Sequence, residues 1–358
     1  MHAPTVVDLL LDCRSAAVLS EFVLERAEPL ESPPFRGMSG DGLEGPALKM
    51  ELPKSATTEL VKVLSFNVGL LYIQDPFFGV TFFHNPPHGR ERLPRIPDAI
   101  REVDADVVLL QECYFERDAD FLWRSLHDVY PFKSRLDCPR TWLQLHNGLM
   151  VLSKWPITKE RFDKYRDAAR LEQLLGCKGN LATTIRLGSQ QLLLTFINGH
   201  YTAGGERINS DDPGSDLDRE KELAQTVELA KAVAEAGEVP LLCGDFNCGP
   251  EASTSNYSGL LKRGFRDLFV EANGTAAAGP ESFTWCPTNY LNTLGPHAHC
   301  PGQRLDHLFL PTDLPAAKVI SCTAARLVLK EPCVPLPGVG HLCTLSDHCG
   351  VLWTLSLD

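Results

Sequence analysis

An α/β sandwich with two sheets and outer helices is the fold this sequence predicts, on three observations. Short, almost wholly apolar runs recur from residue 58 onward, as strands buried on both faces do. Between some of them lie segments whose apolar residues return at helical spacing. The composition, 358 residues with 44% hydrophobic and 22% charged, is that of an ordinary globular chain able to bury a sizeable core without disulfides or metals.

Residues 1–54 read as an N-terminal extension. A mixed apolar pattern over 8–24 suits a short helix, and 28–53 is rich in Pro, Gly, Ser and Glu, the composition of a linker. The domain proper then spans 55–358. Its first strand is expected at 60–66, followed by a helix at 95–103. The continuous apolar run 107–111, behind Asp104 and Asp106, suits a buried strand, and 118–126 a further helix. Strands follow at 148–153, ended by Trp155 and Pro156, and at 181–185 and 191–197. The clearest helix covers 216–236. Ser215 would cap it, Asp216 and Asp218 occupy its first turn, Leu223, Val227, Ala230 and Ala234 form its apolar stripe, and Gly237 stops it. Strands at 239–243, 305–310, 325–329 and 350–355 complete the series, with no internal repeat.

The formal net charge of -12 lowers the expectation of a nucleic-acid partner, which favours a basic face, while acidic clusters suit a cation. The 12 cysteines include no C-x-x-C pair. Cys243 with Cys248, Cys343 with Cys349, and His297, His299 and Cys300 all depart from the usual zinc spacings. Without a basic leader in 1–13, most cysteines are expected as free thiols and the protein as cytoplasmic, peripheral to membranes at most. No apolar run approaches the roughly 18 residues of a membrane span.

The chemistry lies where the strands end. Asn67, Glu112, His200, Asp245 and Asn247 follow apolar runs directly, while Asp306-His307 and Asp347-His348 open the last ones. Loops at sheet edges are where a rigid scaffold displays reactive groups. Each residue alone reads more simply as a solvated carboxylate, a structural histidine or a turn. Their joint occurrence, each on its own strand, changes the odds.

S-F-N at 65–67, Q-E at 111–112, N-G-H at 198–200, G-D-F-N at 244–247, L-D-H at 305–307 and S-D-H at 346–348 together resemble the endonuclease/exonuclease/phosphatase superfamily, whose fold is that of deoxyribonuclease I. The match runs from about residue 58 to the C-terminus. Within it the chain is most similar to the neutral and bacterial sphingomyelinase C branch, through L-S-F-N-V-G-L-L at 64–71, N-G-L-M-V-L-S-K-W-P-I at 147–157 and T-W-C-P-T-N at 284–289. Ser-Lys-x-Pro-Ile also occurs in nucleases of the superfamily. Two departures stand out: His200-Tyr201-Thr202 replaces the usual His-Leu-Gln or His-Leu-His, and the Gly- and Asp-rich loop 203–215 does not align with the family pattern.

The resemblance implies a four-layer α/β/β/α sandwich of two mixed β-sheets flanked by helices, and a Mg2+-dependent phosphodiesterase, with Mn2+ or Co2+ able to substitute. A phosphodiester is anionic and repels hydroxide, so its hydrolysis needs a cation, a prepared water and a stabilised leaving group. Glu112 would bind the metal with Asn67 as a neutral oxygen partner and Asp347 as a second carboxylate. His348 would be the general base, oriented by Asp306. Asp245 and Asn247 would position the water and a phosphate oxygen, and His200 would donate to the phosphate or serve as acid. The acid and base roles of the two histidines stay exchangeable. Trp285, Asn289 and Tyr201 are the expected substrate contacts.

The expected substrate is a phospholipid, cleaved at the head group to ceramide or a related lipid and phosphocholine. Tyr72, Phe77, Phe78, Phe82 and Phe83 would then form an apolar lip, unless they pack under a loop. The rival is a nuclease or nucleotide phosphodiesterase with a basic groove from Arg90, Arg92, Arg95, Arg135 and Arg140, unless these are solvated loop arginines. An inositol-phosphate phosphatase and a catalytically silent binding module are further alternatives.

Overall fold

The computed structural model describes residues 59–357, except 75–80, 138–144, 168–175, 188–191, 205–212, 294–297 and 339. The chain divides into units 1–57 and 58–358, and the described residues belong to the second. The expected extension and its helix at 8–24 lie outside them.

One six-stranded sheet is built from β1 (Glu59–Asn67), β4 (Val107–Gln111), β5 (Phe132–Ser134), β6 (Met150–Ser153), β13 (Ile320–Val328) and β16 (Gly350–Leu357), in the order β13-β16-β1-β4-β6-β5. The other contains β7 (Ile157–Lys164), β8 (Gly179–Leu187), β9 (Leu192–His200), β10 (Val239–Asp245), β11 (Phe265–Asp267) and β12 (Asp306–Pro311), in the order β11-β12-β10-β9-β8-β7. Both are mixed: β1 pairs β4 and β9 pairs β10 in parallel, and the other pairs are antiparallel. Two hairpins stand apart, β2 (Leu71–Gln74) with β3 (Thr81–Asn85) and β14 (Val334–Pro335) with β15 (Leu342–Cys343).

Among the described residues, four helices cover the outer faces. These are α1 (Ile96–Val103), α2 (Glu116–Leu126), α3 (Pro213–Glu235) and α4 (Thr254–Lys262), and a shorter α5 (Leu268–Asn273) follows β11. The layers follow from strand alternation. Val61 and Val63, Val107 and Leu109, Leu194 and Phe196, Leu241 and Cys243, and Val351 and Trp353 fill the space between the sheets. Their neighbours Leu64, Phe66, Val108 and Leu110 meet Ile96 and Ile100 of α1 and Leu122 and Leu126 of α2. Ile197 and Leu242 meet Leu223, Val227 and Ala230 of α3 and Tyr257 and Leu260 of α4. The result is the four-layer α/β/β/α sandwich. Full burial of each such side chain contributes about 1.5–3 kcal/mol.

Helix α3 begins at Pro213, so Ser215 lies within its first turn rather than capping it. Gly237 ends it as expected: at φ 81° it lets Glu238 N–H reach back to the Val233 carbonyl, 3.2 Å. Among the described cysteines nine are free thiols and Cys177 is disulfide-bonded. His297 lies outside the described residues, and Cys300 packs with Ala252, Trp285 and Leu305. No helix among the described residues is long and apolar enough to cross a membrane.

Candidate active site

The alternation that builds the central core also builds the site. Along β1 the inward positions read Val61, Val63, Ser65, Asn67; along β9, Leu194, Phe196, Asn198, His200; along β10, Leu241, Cys243, Asp245. Each ladder is apolar at its start and turns polar at its C-terminal end. Asp306 occupies the inward register of antiparallel β12, opposite Asp245. The sheets are joined just below the site: Gln111 Nε2 donates to Asn198 Oδ1 at 2.8 Å, and Asn198 Nδ2 to the Leu110 carbonyl at 3.0 Å.

Glu112 lies one residue beyond β4, where continued alternation would aim it at the helices. Its backbone instead turns to φ 58°, a left-handed conformation uncommon outside Gly, and its carboxylate joins the cleft. Asn67 Nδ2 donates to Glu112 Oε1 and to Asp245 Oδ2, both at 2.9 Å, while Asn67 Oδ1 accepts from Gly69 N–H at 3.0 Å. In this arrangement the Asn67 oxygen accepts from the turn, and its nitrogen bridges the two carboxylates.

His348 Nδ1 is 2.9 Å from Asp306 Oδ2, and its Nε2 is 3.7 Å from Asp245 Oδ2. His200 Nε2 stands 3.7 Å from the same Asp245 oxygen and 3.8 Å from Glu112 Oε1. Asp245 Oδ1 accepts from Asn247 N–H at 2.9 Å, and Asn247 Nδ2 donates to the Tyr201 carbonyl at 3.0 Å. Asp347 accepts from Ser346 Oγ at 3.1 Å beside Gly69, where a Cβ would fall 2.7 Å from Asp347 Oδ1.

Burial, with the nearby Asp347 charge, pushes the Glu112 carboxyl up to about 7. Burial, aided by Asp306, also raises Asp245, against the His348 charge and the Asn67 and Asn247 hydrogen bonds. The histidines diverge. Burial, the Lys178 ammonium and His348 hold His200 well below its ordinary range, so it is neutral. Burial acts downward on His348 too, but Asp306 and Asp245 outweigh it and raise it well above.

Two trios, Glu112 with His200 and Asp245, and Asp245 with Asp306 and His348, each bring their ligand atoms within 4.8 Å of one another. Asp306 Oδ1 is buried without a hydrogen-bond partner. Converging hard oxygen donors, a carboxyl raised by burial and by the Asp347 charge, and an orphaned carboxylate oxygen fit a divalent cation.

Trp285, Asn289 and Tyr201 do not come together as a substrate surface. Tyr201 is fully buried, with its ring stacked between Tyr165 and Phe246, so only its carbonyl serves the site. Asn289 Nδ2 donates to the Ser346 and Asp347 carbonyls at 3.0 and 3.3 Å, which makes it a brace of the Asp347-His348 loop. Trp285 is 6% exposed and bridges His348 through backbone. Sequence reasoning missed Tyr114, whose hydroxyl lies 3.4 Å from His200 Nδ1, and Lys178, buried with its Nζ donating to the Tyr201 carbonyl at 2.8 Å. A lysine immediately before an apolar strand was the available signal for the second.

The arginines offered for the alternative basic groove have separate surroundings. Arg92 is fully buried and donates to the carbonyls of Val68, Gly69, Pro86, Pro87 and Leu345. Arg135 donates to the Cys113 carbonyl and pairs with Glu116. Arg90 and Arg95 are exposed, and Arg140 lies outside the described residues. Of the aromatic lip, Tyr72 is buried against Phe115 with ring centroids 3.9 Å apart, Phe82 and Phe83 lie in β3, and Phe77 and Phe78 are outside the described residues.

The model of the Endonuclease/Exonuclease/phosphatase family matches residues 64–348. Solved structures with this fold include a beta toxin of Staphylococcus aureus with bound magnesium ions, at TM-score 0.62 and 17% identity, covering 83% of this chain and 99% of that one. The sphingomyelinase C of Streptomyces griseocarneus follows at TM-score 0.59 and 19% identity, covering 84% and 100%. A truncated TDP2 of Caenorhabditis elegans gives 0.57 and 16%, covering 84% and 98%. At these identities the likeness is one of fold. No curated protein sequence matches.

Proposed function

We propose that this chain, which belongs to the endonuclease/exonuclease/phosphatase family and is a phosphoric-ester hydrolase, cleaves the head-group phosphodiester of a phospholipid in the manner of a sphingomyelinase, giving phosphocholine and ceramide or a related lipid. The observation that carries the chemistry is the convergence of Glu112, His200, Asp245, Asp306 and His348 on one cleft. Asp306 only accepts, so His348 keeps a proton on Nδ1, and the form that has lost its second proton presents Nε2 as the base toward water. Neutral His200 directs Nε2–H between Glu112 and Asp245 and donates to a phosphate oxygen, a hydrogen-bonding role in preference to that of a charged acid. Asp245 and Asn247 orient the water and the phosphate. Glu112 and Asp347 would hold Mg2+, which when bound polarises the phosphoryl oxygen and stabilises the departing one. Supporting a lipid over a nucleic acid, Arg92 and Arg135 are spent on backbone carbonyls and on Glu116, which removes them from any phosphate track.

The test offers sphingomyelin, a lysophospholipid and single-stranded DNA side by side, in Mg2+ and in chelator. Phosphocholine release in Mg2+ that stops in chelator is expected. Cleavage of DNA alone overturns the lipid reading, and undiminished turnover in chelator overturns the metal.

A further inference from the structure

His307 follows Asp306 in the chain but faces the opposite side of β12, and nothing in the reaction uses it. It is fully buried. Its Nε2 lies 2.9 Å from the carbonyl oxygen of Cys248, the residue after Asn247. A carbonyl only accepts, so Nε2 carries a ring proton. Its Nδ1 lies 3.1 Å from Arg304 Nη1 and 3.4 Å from Asp267 Oδ2, so the Arg304–Asp267 pair holds that edge of the ring. Arg304 is itself anchored at 2.6 Å to Asp267 Oδ2, which also accepts from Tyr257 at 2.8 Å.

The segments around 247 and 305 are interlocked. Phe246 N–H donates to the Leu305 carbonyl at 2.9 Å, and the Phe246 ring meets His307 edge-on at 5.7 Å. A Cβ on Gly249 would fall 2.1 Å from the Arg304 carbonyl oxygen. Asn247 sits at φ 46°, in the left-handed region that Asn adopts more readily than other non-Gly residues.

We propose that His307 is a positioning residue: its Nε2–H, aimed by Arg304 and Asp267, pins the Cys248 peptide and thereby the turn that sets Asn247 and Asp245 against the phosphate. This rests on the reading of Asp245 and Asn247 as phosphate-facing groups.

The test compares wild type, His307→Gln, which keeps an N–H at similar reach, and His307→Leu, which removes it. Turnover of a soluble chromogenic phosphodiester in Mg2+ is measured with pH profiles and thermal melts. For His307→Leu, kcat is expected to fall on the order of 10- to 100-fold, as a small displacement of a reacting group costs, with KM held within about twofold. The pH midpoint stays at the wild-type value, because the His348–Asp306 pair is untouched, and His307→Gln restores most of the rate. Wild-type kcat in His307→Leu, or a folded His307→Gln as slow as His307→Leu, overturns the proposal. Long-range 1H–15N correlation of the wild-type ring at neutral pH decides even if His307→Leu does not fold: a proton on Nε2, with or without one on Nδ1, supports the pin, and a proton on Nδ1 alone overturns it. A wild type inactive on every phosphodiester would sink the functional reading, and the tautomer would still decide this one.

Discussion

His200 and His348 share one cleft and the same Asp245 oxygen, yet their surroundings drive them apart. The difference is the Asp306 carboxylate on His348, against Lys178 beside His200. Asp306→Asn removes the charge that favours the imidazolium. The His348 pKa then drops, and the acid limb of the pH–rate profile should move to lower pH. The rate itself should fall on the order of 10²- to 10⁴-fold, as when a base loses its orienting carboxylate. An acid limb unmoved in the variant would take His348 out of the base role. Glu112 gives a second prediction at this scale. In the folded, chelated protein it keeps its proton up to about pH 7, whereas unfolded it loses it near the ordinary 4.5. The folded state therefore binds more protons between those values, and this contribution to stability falls as pH rises through 4.5 to 7. Urea unfolding in chelator should show that slope in wild type and a flatter one in Glu112→Gln.

At the scale of elements, the site depends on how closely β9 and β10 approach at their ends. Gly199 pairs Gly244, one residue before His200 meets Asp245. At φ 120° a Cβ on Gly244 would lie 2.0 Å from the Gly199 carbonyl oxygen. Gly244→Ala should cost roughly 1–3 kcal/mol from backbone strain alone, with more from parting the strands. Denaturant unfolding measures the first, and a drop in kcat reports the second. The strands that sequence revealed are those buried on both faces: 107–111 was expected to the residue, because Val107 to Gln111 have no exposed side to confuse the pattern. β7 was missed because Ile157–Lys164 is an edge strand, largely exposed, with charges where alternation would put apolar groups, and its pairing with β8 makes it a strand. The short β5 and β11 and helices α4 and α5 were missed for a related reason, since tertiary neighbours rather than local periodicity define them.

For the molecule as a whole, a cation seated on Glu112 and Asp347 would bind the folded chain and not the unfolded one. Mg2+ at a hundredfold excess over its Kd should stabilise the protein by about 2.7 kcal/mol. Melting in Mg2+ against chelator reads this, and the increment should vanish in Glu112→Gln. The polar groups at strand ends were legible because strands expose their ends predictably. What sequence could not show was which polar groups the fold consumes internally. Arg92 was a candidate for a phosphate groove and is spent on backbone carbonyls, Tyr201 was an expected substrate contact and is core, and the Asn67 amide faces carboxylates with its nitrogen.

The two-residue alternation that carries Val61 and Val63 into Asn67, and Leu241 and Cys243 into Asp245, sets a rule for tolerated change. Insertions in the mouth loops, away from Glu112, Asn247 and Asp347-His348, leave every ladder in phase, so those stretches can be rebuilt without shifting the groups the strands carry. A single residue inserted within β1 or β10 would shift the phase by one and swing Asn67 or Asp245 toward the helices. Length variation should therefore be abundant in the rim and forbidden by odd numbers in the strands.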